Sequence, residues 1–164
     1  AACFTADAKF LVTVGRDRSV RTWAATTGAP LRNLSQHSHS VVAVASRPQN
    51  GPGLSVVATA SEDRSVRFWQ PQIGRMMRFV RLPSVPLGLS WSHDGQRLAV
   101  SCRDGRVRWI DPVEVRILEE RTALAGWAYS IATLPKSRDK TTAVIVGGHG
   151  GEVRRLEFPN PSGP

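Results

Sequence analysis

The sequence predicts an all-β protein assembled from a four-stranded antiparallel unit that occurs about four times. Three observations predict it. A nine-residue phrase recurs as Gly15-Arg16-Asp17-Arg18-Ser19-Val20-Arg21-Thr22-Trp23, as Ser61-Glu62-Asp63-Arg64-Ser65-Val66-Arg67-Phe68-Trp69 and as Cys102-Arg103-Asp104-Gly105-Arg106-Val107-Arg108-Trp109-Ile110. A decayed copy reads Gly148-His149-Gly150-Gly151-Glu152-Val153-Arg154-Arg155-Leu156. The copies align on Val20, Val66, Val107 and Val153, at steps of 46, 41 and 46 residues. Within a copy, a charged turn separates two β-prone runs, as Glu62-Asp63-Arg64 separates Val56–Ser61 from Val66–Trp69, which is the pattern of a tight hairpin.

Each unit supplies two further strands. A short β-prone run ends at Phe4, Ser46, Trp91 and Thr133, sixteen or twenty residues before the aligned valine. Turns follow the first three, at Ala6-Asp7-Ala8-Lys9, Pro48-Gln49-Asn50-Gly51 and His93-Asp94-Gly95-Gln96. Beyond the valine strand, Thr27-Gly28 and Ile73-Gly74 mark a turn into a fourth strand at Leu31–Leu34 and Met76–Val80. A sheet of four short strands cannot bury both faces alone, so the units must stack.

In order, the units cover about residues 1–34, 37–80, 82–120 and 124–158. The first turn of the second unit, 47–53, carries two prolines and two glycines and is longer than its counterparts. Glu114, Glu119 and Glu120 belong to the outer strand of the third unit, where charge discourages edge pairing. Pro135 to Thr141 form the long first turn of the fourth, and Gly147 to Gly151 read as its glycine-rich second turn. No Gly-Lys-Ser/Thr follows those glycines and they lead into a strand, so they do not form a phosphate-binding loop. The stretch from Phe158 reads as a tail, with 159–164 disordered.

Ser92-His93-Asp94-Gly95, Thr59-Ala60-Ser61-Glu62-Asp63, Ser65-Val66-Arg67-Phe68-Trp69, Thr27-Gly28 and Ile110-Asp111 resemble the WD-repeat (WD40) family of β-propellers. The resemblance implies four-stranded blades, about four of them, forming a partial propeller that is an arc rather than a closed ring. It also implies a polar lock in each blade, made by a His before the first strand, a Ser or Thr in the second, an Asp in the tight turn and a Trp in the third. The second unit matches fully with His37, Thr59, Asp63 and Trp69. The first keeps Thr13, Asp17 and Trp23, and the third keeps only Asp104. In the fourth, Leu124, Val146, Gly150 and Leu156 occupy these positions. In the family the turns between second and third strands share a face that receives partners. The residue before each turn position falls there, which marks Arg16, Glu62, Arg103 and His149.

Composition narrows the function classes. Of 164 residues 41% are apolar, enough for a core, and the formal net charge is +9. Almost all of that charge is arginine, with lysine only at Lys9, Lys136 and Lys140. A basic surface favours anionic partners. The expected partner is therefore an acidic protein or peptide, with nucleic acid second because the sequence shows no exposed aromatics interleaved with the charge. Further blades or a second copy are expected to complete the ring. A docking appendage to an enzyme encoded upstream is a third reading. No membrane-length apolar run or signal peptide occurs, and a cytoplasmic setting is expected. Cys3 and Cys102 lie in β runs of different units and read as small buried hydrophobes. His37 and His39 lack a third ligand nearby. His37, Thr59 and Asp63 could form a catalytic relay, yet Thr59 sits on no nucleophile elbow. The expectation is a binding scaffold that is no enzyme and uses no cofactor or metal. The arginine after each valine, Arg21, Arg67, Arg108 and Arg154, is expected to pack its stem between blades and turn its head to a partner.

Overall fold

The computed structural model describes residues 1–49, 53–134 and 141–159, with Thr141 described by its backbone alone. The first sheet holds β1 (Ala2–Phe4), β2 (Phe10–Val14), β3 (Val20–Ala24) and β4 (Pro30–Leu34). The second holds β5 (Val41–Ser46), β6 (Val57–Ser61), β7 (Ser65–Gln70) and β8 (Arg75–Arg81). The third holds β9 (Pro86–Trp91), β10 (Leu98–Cys102), β11 (Arg106–Asp111) and β12 (Arg116–Thr122). The fourth holds β13 (Ala128–Thr133), β14 (Thr141–Gly148) and β15 (Val153–Pro159). Every sheet is an antiparallel meander in chain order.

The sheets stack through their faces. Val12, Val14 and Val20 of the first meet Val57 and Trp69 of the second. Ala58, Ala60, Val66 and Phe68 of the second meet Leu98, Val100 and Ile110 of the third. Val107 and Trp109 of the third meet Val144, Val146 and Phe158 of the fourth. This is period-2 alternation used on both faces, one for each neighbour, which explains why β6 and β10 are buried along their whole length. The inner strands follow one another, β1 against β5, β5 against β9 and β9 against β13. Among the described residues this series does not close into a ring. Its two outer faces therefore expose residues whose counterparts are buried. Val153 is 66% exposed, whereas Val20, Val66 and Val107 are fully buried. Trp23 is half-buried where Trp69 is fully buried.

Several expectations change. Phe158 is no tail residue: β15 runs to Pro159, and Phe158 is 1% exposed with its ring edge-on to Trp109, centroids 5.8 Å apart. Two arginines and a proline masked its strand character, and burial against Trp109 overrides them. Gly147 and Gly148 belong to β14, leaving only His149–Gly151 as the turn. Glu120 is no idle edge charge, because it accepts from Arg108 Nε at 3.0 Å. Cys3 is half-buried, while Cys102 is fully buried and burial pushes its thiol up to about 11. Part of the long 47–53 turn, all of 135–140 and residues 160–164 lie outside the described residues. Among the described residues no helix is long and apolar enough to cross a membrane.

Candidate partner-binding face

In the second sheet the four lock residues come together. The indole of Trp69 donates from Nε1 to Thr59 Oγ1 at 2.8 Å, and Thr59 Oγ1 lies 2.8 Å from His37 Nε2. His37 Nδ1 lies 2.9 Å from Asp63 Oδ2. A carboxylate only accepts, so the Nδ1 proton faces Asp63 and Nε2 accepts from the Thr59 hydroxyl. Burial holds the His37 imidazole below its ordinary pKa, against the pull of Asp63. Asp63 also accepts from Ser65 Oγ at 2.5 Å, Ser65 N at 2.9 Å and Ser38 N at 3.2 Å. Burial alone would raise its carboxyl, but the bonds from Ser65 and His37 outweigh that and hold it at about 2. Ser65 and Ser38 were not singled out in the sequence, although Ser65 two residues after the aspartate is an Asx-turn signal.

The first sheet repeats half of this arrangement. Trp23 Nε1 donates to Thr13 Oγ1 at 2.9 Å. Asp17 accepts from Ser19 Oγ at 2.7 Å and pairs with Arg21 at 2.7 Å, the side chains of Asp17 and Arg21 both being well exposed. The Ser19 bond, then Arg21, lower its carboxyl to about 2. In the third sheet Asp104 instead takes two bonds from Arg108, Nη1 at 3.0 Å and Nη2 at 2.6 Å. Arg108 is 2% exposed. The arginine after the valine therefore turns back four residues to its own turn aspartate in three sheets, more loosely in the second, where Arg67 lies 3.8 Å from Asp63. In the fourth, where Gly150 replaces the aspartate, Arg154 pairs with Glu152.

These locks stiffen turns that sit beside the connections between sheets. Glu62 N donates to Ser40 O at 2.9 Å, Arg103 N to Val85 O at 2.8 Å and His149 N to Trp127 O at 2.9 Å. The three bonds place Glu62, Arg103 and His149 at equivalent stations on one loop face, and Arg16 occupies the corresponding turn position between β2 and β3. Arg16 and His149 are exposed. Glu62 and Arg103 approach to 3.8 Å, each side chain 39% exposed.

The structure adds two residues to this face. Trp127 is 43% exposed and Tyr129 49%, their rings edge-on with centroids 5.8 Å apart. The Arg103 guanidinium carbon lies 4.5 Å from the centroid of the Trp127 ring. The backbone of Trp127 is held from below. A Cβ on Gly105 would stand 2.2 Å from Leu124 O, and one on Gly148 would stand 2.3 Å from Trp127 O. Only glycine lets the 123–127 connection pass so close. This aromatic ledge is not legible in the sequence, because Trp127 follows Gly126 in a connection with no period to mark exposure. The decayed turn Gly148-His149-Gly150-Gly151 was its one sequence signal.

Three four-stranded sheets and a three-stranded fourth, stacked face to face and each with a tight turn on a shared loop face, define a blade protein of the propeller class. A family model described as the WD domain, G-beta repeat matches residues 28–70, and one described as the anaphase-promoting complex subunit 4 WD40 domain matches residues 56–132. The chain is a WD40-repeat protein. It is 31% identical to coronin-7 of Rattus norvegicus over 110 residues, covering 62% of this chain and 12% of that protein. Protein HIR1 of Eremothecium gossypii is 34% identical over 110 residues, covering 60% of this chain and 13% of its own. Eukaryotic translation initiation factor 3 subunit I of Pyricularia oryzae is 22% identical over 186 residues, covering 94% of this chain and 53% of its own. The chain thus spans between about an eighth and about half of the length of these relatives.

Proposed function

We propose that the chain is a non-catalytic docking scaffold whose loop face receives a protein or peptide carrying acidic groups. The observation that carries this reading is Arg103 lying over the exposed indole of Trp127, a charge and an aromatic anchor on the same face. Interface anchors are typically Trp, Tyr and Arg. The turn aspartates do not neutralise this face, since Asp17, Asp63 and Asp104 are engaged within their own blades. The relay of His37, Thr59 and Asp63 supports a structural role over a catalytic one. Thr59 is fully buried, and its oxygen is shared between Trp69 and His37.

Retention on poly-glutamate beads at low salt tests the reading. Reversing Arg16 and Arg103 to Glu is expected to weaken retention, because rim charge sets encounter and salt sensitivity. Reversing Lys9 and Arg75, exposed residues away from these turns, is expected to matter less. A larger loss from the second pair would place the binding surface elsewhere. Tighter retention on single-stranded DNA, with a steep salt slope, would turn the assignment to nucleic acid.

A further inference from the structure

Arginines stacked on rings elsewhere in the molecule are anchored at Nε. Arg47 lies over Trp91 and donates from Nε to Gly95 O at 2.6 Å. Arg121 lies over Phe158 and donates to Glu119 at 2.8 Å, and Arg67 over Phe79 donates to Ser65 Oγ at 3.4 Å. Arg103 differs. Its Nε is shut from solvent and meets no acceptor among the described residues. The carboxylate beside it, Glu62, stays 3.8 Å from Nη2, beyond hydrogen-bond reach. A buried donor without an acceptor makes this pose unfavourable relative to one that supplies an acceptor. The backbone that carries the ring is held by His149 N bonding Trp127 O and by the close approach of Gly148 to the same carbonyl. A poorly anchored cation thus rests on an exposed indole whose backbone is held in place.

We infer that Arg103 is a movable cover on Trp127. The acidic group of a partner draws the guanidinium off the ring, and the uncovered indole, extended by Tyr129, takes an adjacent aliphatic side chain. The recognised element is then an acidic residue beside an aliphatic one, and Glu62 acts as an internal competitor for Arg103. The inference rests on the loop-face reading above and specifies its ligand. A carboxylate offers Arg103 two short parallel bonds, which Glu62 at its present distance does not.

The test titrates a capped hexapeptide of alternating Glu and Leu, its twin with Gln for Glu, and hexaglutamate, by calorimetry. The Glu–Leu peptide is expected to bind tightest. Arg103→Ala should weaken it about tenfold, the loss of a charged hydrogen bond, down to the level of the Gln twin. Glu62→Gln should strengthen it by roughly threefold, since a competing charge is removed. Indifference of binding to Arg103→Ala, with Trp127→Ala still abolishing it, would overturn the cover alone. Indifference to Trp127→Ala would overturn the loop-face reading itself. Thermal melts of each variant check that the fold is retained.

Discussion

The second blade closes its turn with a relay through an uncharged imidazole, Trp69 to Thr59 to His37 to the carboxylate of Asp63. The third blade closes the equivalent turn with a buried guanidinium, Arg108, gripped by Asp104 and Glu120. The backbone job is the same and the chemistry is different. At the Thr59 position the third blade has Val100, and at the Trp69 position Ile110, so no indole or hydroxyl remains to satisfy a histidine. With that polar column gone, the arginine that is half-buried in the second blade as Arg67 sinks to full burial as Arg108. A turn aspartate needs donors, and either a histidine from the preceding connection or an arginine from its own strand can supply them. The two blades therefore differ in what breaks them.

The largest expected effect follows from the buried charge. Replacing Asp104 by Ala together with Glu120 by Gln strips Arg108 of both carboxylates, and removing the partners of a buried ion costs about 3–5 kcal/mol. Denaturant melts read this directly, and a loss no greater than that of a surface pair would mean Arg108 reaches water.

In the second blade, Asp63→Ala leaves His37 Nδ1, Ser38 N and Ser65 N without their acceptor, at about 1–3 kcal/mol. Asp17→Ala should shift the same midpoint clearly less, because Asp17 is exposed and has no histidine to satisfy. Equal shifts would remove the distinction between the complete and the partial lock.

Acidity separates the two blades more finely. The folded pKa of His37 is held below its ordinary 6.5, so the unfolded chain takes up the proton first. Its contribution is present above pH 6.5 and is lost as pH falls through the depressed folded value. Asp63 follows at lower pH, its contribution present above 3.8 and lost as pH falls towards 2. The Asp104 carboxyl, depressed because Arg108 outweighs burial, also loses its contribution only below 3.8. Between pH 7 and 5 the melting temperature should therefore fall through the second-blade lock, and His37→Gln should flatten that fall. An unchanged slope in the variant would assign it to another group.

What was legible in the sequence follows from periodicity. The strands ending at Phe4, Ser46, Trp91 and Thr133 end there in the structure, because alternation and turn residues are local signals. The residues His37, Thr59, Asp63 and Trp69 were legible as a set because a motif carries them. The Arg108 network was not, since it arises only when Val100 and Ile110 empty the polar column, a relation between strands. Trp127 was hidden for the same reason. Its place depends on how closely Gly105 and Gly148 let a connection approach, and glycine in sequence does not say what it approaches. Phe158 is the converse case, a residue whose strand is made by Trp109 across the interface.

The proposed division of labour is that locks hold the turns while the Arg103–Trp127 ledge binds. One paired measurement tests it most directly: Glu–Leu peptide affinity and unfolding midpoint, recorded side by side for Asp63→Ala and Trp127→Ala at a temperature where both are folded. Asp63→Ala is expected to lower the midpoint and leave affinity within about twofold, since Asp63 is bonded to His37, Ser38 and Ser65 rather than to Arg103 or Trp127. Trp127→Ala is expected to abolish binding and barely move the midpoint. Affinity lost in Asp63→Ala and kept in Trp127→Ala would contradict it.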